Sequence, residues 1–187
     1  MKTFINWGFI IFILVFTNSC EKDKTDTLPA ETTLGKNTFG CLVNGNIWVN
    51  KGFNNFLSPA NVAFISYPQR YEFRVSASNT TQNKQQSIVI VIGSSLKIGT
   101  YYLNNAKNYA LFNKEESNCY YRTDSTVNAG TLEITYIDWF SKIVAGKFKF
   151  DVSKFQRYPD EDQSQECDPN ISVTEGRFDI KYKSPPF

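Results

Sequence analysis

The chain has 187 residues, with 20 basic and 18 acidic side chains for a formal charge of +2, and 16% of its residues are aromatic. Charge this balanced excludes the basic stripe of a nucleic-acid binder, and aromatic content this high excludes a disordered tail. Histidine is absent, which removes His-based triads, His metal sites and imidazole pH switches.

Residues 1–19 read as a signal peptide. Lys2 supplies the charged n-region, Trp7 to Phe16 form an apolar run broken only by Gly8, and Thr17-Asn18-Ser19-Cys20 closes with small or polar residues. The run is shorter than the ~20 apolar residues needed to span a bilayer, and the chain turns polar at Glu21-Lys22-Asp23-Lys24. A cysteine directly after the small residue of a cleavage site resembles a bacterial lipobox, with Thr17 and Asn18 standing where the usual motif has Leu and a small residue. Loose lipoboxes ending in Ser-Cys are typical of Bacteroidota. The resemblance implies that Cys20 is acylated, becomes the first mature residue and holds the protein at the outer membrane. The acidic residues after it, Glu21, Asp23 and Asp26, are diluted by Lys22, Lys24 and Thr25; this places the cell surface slightly ahead of the periplasmic face.

Residues 20–37 are charged and Thr-rich, with Pro29 and Gly35, and contain few apolar positions. They cannot bury enough apolar surface to offset the entropy of ordering them and are expected to form a flexible tether. Residues 38–187 then form one domain of ordinary size.

Within that domain the hydrophobic period is two. Tyr71, Phe73, Val75 and Ala77 alternate with polar residues, as do Leu132, Ile134 and Tyr136, then Phe148, Phe150 and Val152, and finally Phe178, Ile180 and Tyr182. This alternation marks antiparallel strands with one wet face. Ile88-Val89-Ile90-Val91-Ile92 is apolar on both faces and reads as a central strand. Asn44-Gly45 between apolar flanks predicts a two-residue hairpin that places Cys41 opposite Trp48. The stretch 138–142 joins the Leu132 and Phe148 strands as a second hairpin. About eleven short strands result, in an all-β fold: a single antiparallel β-sandwich, with a flattened barrel as the alternative. The polar stretch 153–170 interrupts the last two strands, and a loop of that length is usually functional or disordered.

Three cysteines remain after Cys20. Cys41 lies in an apolar strand, whereas Cys119 and Cys167 lie beside polar loops. The expected disulfide is Cys119–Cys167, with pairing through Cys41 left open. Three cysteines with no C-x-x-C pair and no His do not match a zinc site.

The chemistry-bearing motifs are sparse. Ser94-Ser95-Leu96-Lys97 has the Ser-x-x-Lys spacing of penicillin-recognising enzymes, but it follows a strand and precedes Gly99 instead of opening a helix. Asp160-Glu161-Asp162, Glu166 and Asp168 read as a solvated acidic loop without the glycine or the ligand order of a calcium loop. No catalytic residue, cofactor or metal is therefore expected. Neighbours on a strand face opposite ways, so the aromatic pairs Tyr101-Tyr102, Tyr120-Tyr121 and Trp139-Phe140 are candidates for a ligand-facing platform, against the simpler role of cross-strand packing. Asp26-Thr27-Leu28 and Asp124-Ser125-Thr126 are similar to the O-glycosylation sequon of Bacteroidota, giving Thr27 and Ser125 as candidate sites.

Asn37 to Gly45 followed by Trp48, Gly99 to Leu103, Val144 to Phe150 and Val173 to Ile180 together resemble a family of uncharacterised Bacteroidota lipoproteins, a domain of unknown function. The resemblance implies an exported, lipid-anchored, all-β protein and supplies no catalytic residues. The expected role is a non-catalytic binding or accessory module at the outer membrane, with a glycan or envelope-protein partner and no nucleic acid. The alternative is a structural envelope component without a ligand.

Overall fold

The computed structural model describes residues 27–51, 63–66, 72–81, 84–123, 129–156 and 166–182. Residues 1–19, read above as a signal peptide, lie outside these residues with Cys20 and Ser125, as does the middle of the 153–170 loop. Eleven strands follow in chain order: β1 (Thr38–Val43), β2 (Asn46–Val49), β3 (Ala63–Ser66), β4 (Phe73–Thr81), β5 (Lys84–Ile92), β6 (Gly99–Tyr102), β7 (Asn108–Lys114), β8 (Cys119–Arg122), β9 (Gly130–Asp138), β10 (Ile143–Lys154) and β11 (Asn170–Lys181). One turn of 3₁₀ helix, Glu115–Ser117, precedes β8.

The strands form one antiparallel sheet in the order β2-β1-β11-β10-β8-β7-β5-β4-β3. It curls into a barrel that is nearly closed, with one unsealed seam. Of the two all-β arrangements legible in the sequence, the sheet takes the form closer to the barrel, without closing fully. Just past β2, at one end of the strand path, Lys51 makes an isolated bridge to Asn79 of β4, the neighbour of the strand at the other end. The sheet forks along β10. One edge of β10 pairs with β11 throughout, whereas the other pairs first with β9 and then, at Ser153 and Lys154, with β8. Strand β6 completes the branch by pairing with β9.

Alternation determines what faces inward. Phe73, Val75, Ala77, Leu132, Ile134, Phe148, Phe150, Val152, Phe178 and Ile180 are all buried, each where the period-two pattern puts an inward side chain. Ile88, Ile90 and Ile92 line the core, and Val91 on the opposite face is also buried, as a central strand requires. The aromatic centre is Phe39, whose ring lies 4.8 Å from that of Phe148 and 5.9 Å, edge on, from Trp48. Such contacts add to area burial by ~1 kcal/mol each.

The Asn44-Gly45 hairpin forms with both residues at positive φ, 47° and 78°, and sets Cys41 opposite Trp48. The β9–β10 hairpin turns at 139–142. In β11, Thr174 and Glu175 together oppose Lys149, a bulge in which Glu175 takes φ 51°. The next residue, Gly176, has no room for a side chain, because a Cβ there would come within 2.3 Å of the Phe148 ring.

The expected disulfide is present. Cys119 and Cys167 are bonded with Cα atoms 5.9 Å apart, and Cys41 is a buried free thiol. Burial pushes the Cys41 thiol up to about 12.

One sequence expectation changes its boundary. The polar segment read as a tether through residue 37 is fixed to the barrel from Pro29 onward. Pro29 packs against Gly40, and the chain then closes round Asp179, a carboxylate on the outer face of β11 that is only 1% exposed. Asp179 accepts hydrogen bonds from the Thr32 hydroxyl and from the backbone N–H groups of Leu34, Gly35 and Lys36, at 3.0, 2.8 and 3.3 Å for the last three. Gly35 makes this wrap with φ 67°. Four donors converging on one carboxylate replace the apolar burial that the segment lacks.

Candidate functional site

Beneath this strap the outer faces of β9, β10 and β11 form two adjoining clefts. The first, of about 360 Å³, lies between strap residues 30–33 and a wall of Thr135, Ala145, Lys147 and Arg177. The second, of about 350 Å³, continues along the sheet past Glu133, Lys149 and Glu175. Glu31, Lys147 and Arg177 line both. Alternation creates this surface: while Phe148 and Phe178 point into the core, their neighbours Lys147, Lys149 and Arg177 point out. Lys147 Nζ meets Glu31 Oε2 at 2.7 Å, and this hydrogen bond holds the Glu31 carboxyl below its ordinary range. Arg177 meets Glu175 at 3.4 Å. The clefts thus carry both signs of charge on exposed side chains, suited to a polar partner lying along the strands.

A third cleft, of about 330 Å³, opens where the sheet forks, between Asn105, Arg122, Thr123, Ser153, Lys154 and Phe155. The Arg122 guanidinium stacks 4.1 Å from the centroid of the Tyr109 ring, which fixes its position.

The candidate aromatic residues are dispersed. Tyr121 points into the barrel against Phe112, their ring centroids 6.0 Å apart, and is fully buried; burial, with the Asp168 charge second, pushes its hydroxyl up to about 12. Tyr120 faces the other way and is covered as well, its hydroxyl donating to Glu115 at 3.0 Å. The expectation that this pair faces a ligand is therefore corrected: the 3₁₀ turn supplies the cover, a contact that strand alternation does not foresee. Tyr101 packs on the core, and its hydroxyl bonds both main-chain groups of Lys97. Tyr102, Trp139 and Phe140 are exposed, by 58%, 54% and 97%. None of the six lines any of the three clefts.

Thr27 is exposed. Ser94 and Lys97 lie in an exposed connection before β6. Among the described residues no group of three His, Cys, Asp or Glu side chains is placed to hold a metal ion, and no helix is long and apolar enough to cross a membrane.

At the end of β10 that pairs with β8, the rim of the barrel is closed by polar contacts. Trp48 Nε1 donates to Gln86 Oε1 at 3.1 Å, Gln86 Nε2 donates to Glu116 Oε1 at 3.2 Å, and the Gln85 N–H donates to Glu116 Oε2 at 3.0 Å. Neither Asp179 with its strap nor this Trp-Gln-Glu chain is signalled in the sequence, since each joins residues that only the fold brings together. No protein-family model, curated protein or solved structure matches the chain.

Proposed function

We propose that the protein is a lipid-anchored outer-membrane lipoprotein of the Bacteroidota type, acting as a non-catalytic accessory module that engages a polar envelope partner along the outer faces of β9, β10 and β11. The carrying observation is the pair of adjoining clefts whose shared walls are Glu31, Lys147 and Arg177. They are open and charged, and the aromatic residues that border them, Phe178 and Phe148, are buried at 3% exposure and offer no ring face for a sugar to stack on; an extended protein segment is the better match. The anchor rests on the lipobox-like Ser19-Cys20, with the cell surface slightly favoured over the periplasmic face.

Two measurements test this. Mass spectrometry of the N-terminal peptide from producing cells is expected to show acyl chains on Cys20, and an unmodified Cys20 overturns the anchor. Photocrosslinking from position Thr135 in the same cells is expected to give one defined adduct that Lys147→Glu abolishes. Adducts that persist in Lys147→Glu, or none at all, overturn the cleft.

A structural envelope role without a ligand is the second reading. It is favoured by the burial of Tyr120 and Tyr121, which removes one of the three candidate aromatic pairs from the surface.

A further inference from the structure

The turn between β9 and β10 presents Trp139 and Phe140 to solvent, Phe140 almost completely. This presentation is built into the fold. Asp138 Oδ1 accepts the backbone N–H groups of Phe140 and Ser141, each at 2.9 Å, so that the two rings stand on a hydrogen-bonded turn at the end of a two-stranded ladder. Those hydrogen bonds, Ser141's first, hold the Asp138 carboxyl below its ordinary range. Leu34, 68% exposed, lies at the same rim, because its neighbour Gly35 sits against Ile143 and Lys181 beside the turn.

Three cations share this rim. Lys142 belongs to the turn, Lys181 pairs with Ile143, and Lys36 follows Gly35 in the strap. The nearby carboxylates are engaged, Asp138 by the turn and Asp179 by the strap. The rim is therefore an apolar tip containing Trp, collared by lysines.

We infer that this tip is a membrane-contacting surface that inserts Trp139, Phe140 and Leu34 into the interfacial layer of an anionic bilayer, with Lys36, Lys142 and Lys181 among the headgroups. Trp prefers that depth, and lysines near an anionic surface add electrostatic attraction to it. Area argues against a second copy as the occupant. Three side chains exposed by 54%, 97% and 68% present roughly 500 Å², against the ~800 Å² per partner of a stable interface. Where the anchor proposed above is present, it reaches. The nine residues from Cys20 to Pro29 span up to ~30 Å, while Pro29 sits beside Gly40, which pairs with Arg177, only ~13 Å along β11 from Lys181.

The test uses the chain from Glu21 to Phe187, which contains every described residue, with vesicles of phosphatidylcholine alone or mixed equally with phosphatidylglycerol. Two tryptophans remain, and Trp48 is buried. Brominated acyl chains in the mixed vesicles are expected to quench Trp139 emission, with pelleting of the protein. Trp139→Ser with Phe140→Ser is expected to cut the bound fraction about tenfold. Lys36→Glu, Lys142→Glu and Lys181→Glu together are expected to do the same on the mixed vesicles only. Absence of quenching with an unchanged melting curve overturns the inference, as does a dimer in sedimentation equilibrium that the double serine variant dissolves. The anchor is read separately from Cys20, so an unacylated Cys20 alongside quenching here overturns the anchor alone.

Discussion

The two rims of the barrel are finished in opposite ways. At the end of β10 that meets β8, the Trp48–Gln86–Glu116 chain, the Tyr120–Glu115 hydrogen bond and the Cys119–Cys167 bond close the structure, and Lys114 pairs with Asp168 at 2.7 Å. At the start of β10 the hairpin tip instead turns Trp139 and Phe140 outward, next to Leu34 of the strap. Both rims belong to one sheet and one core, so the contrast lies in the connections. At the first rim side-chain and covalent ties cover the connections themselves, whereas at the second the ties run from the strap to Asp179 and leave the hairpin tip exposed for contact with something else.

The largest effect is expected at the tied rim. Cys119→Ser with Cys167→Ser opens a covalent link across a sequence separation of 48 residues and is expected to lower unfolding free energy by ~4 kcal/mol in a urea titration. Next comes the strap: Asp179→Ala strands three backbone donors and frees residues 29–37, at a cost of about 3 kcal/mol. It is also expected to expose the Pro29–Lys36 segment to protease at concentrations that leave the parent protein intact. Gln86→Leu, which strips Trp48 and Glu116 of a shared partner, is expected to cost about 2 kcal/mol in the same titration.

A smaller effect appears only in alkali. Tyr121 has its hydroxyl raised from an ordinary 10.0 to about 12 by burial and by Asp168, so the unfolded chain ionises first. The stability this provides is whole below pH 10 and is lost as pH rises from 10 to 12. Melting temperatures across that window are expected to fall less steeply in Tyr121→Phe. The smallest effect is at the open rim, where Trp139→Ser with Phe140→Ser is expected to change stability by less than about 0.5 kcal/mol. A loss of 2 kcal/mol or more there would abolish the contrast between the rims.

Much of the fold was legible because the forces that decide it are local in sequence. Period-two alternation marked the inward residues of β4, β9, β10 and β11, and Asn44-Gly45 set the β1–β2 register. The Cys119–Cys167 pairing followed from which cysteines neighbour polar loops. Closure into a barrel was less legible, since the Thr174–Glu175 bulge that bends β11 has no marker in composition. The strap was missed for a clearer reason. Asp179 occupies the outward position of a regular alternation, and nothing in Phe178-Asp179-Ile180 separates a solvated aspartate from one that gathers four donors more than 140 residues upstream. Tyr120-Tyr121 misled similarly, because the cover over Tyr120 is the Glu115 side chain, held in place by a turn whose packing is tertiary. Trp139 and Phe140 were legible as a candidate aromatic pair within a hairpin turn, whereas the charged clefts required knowing that β9, β10 and β11 lie side by side.

The placement of β11 has a consequence for the order in which the molecule can be assembled. Among the described strands the last, β11, lies between the first, β1, and β10, with Thr38 registered against Asp179. A chain made from its N-terminus therefore carries β1 and β2 without that neighbour until β11 has emerged. The pairing that completes the wall also spans the greatest loop, the slowest kind to close. The strap, whose carboxylate partner Asp179 arrives in β11, is set only once that strand is in place.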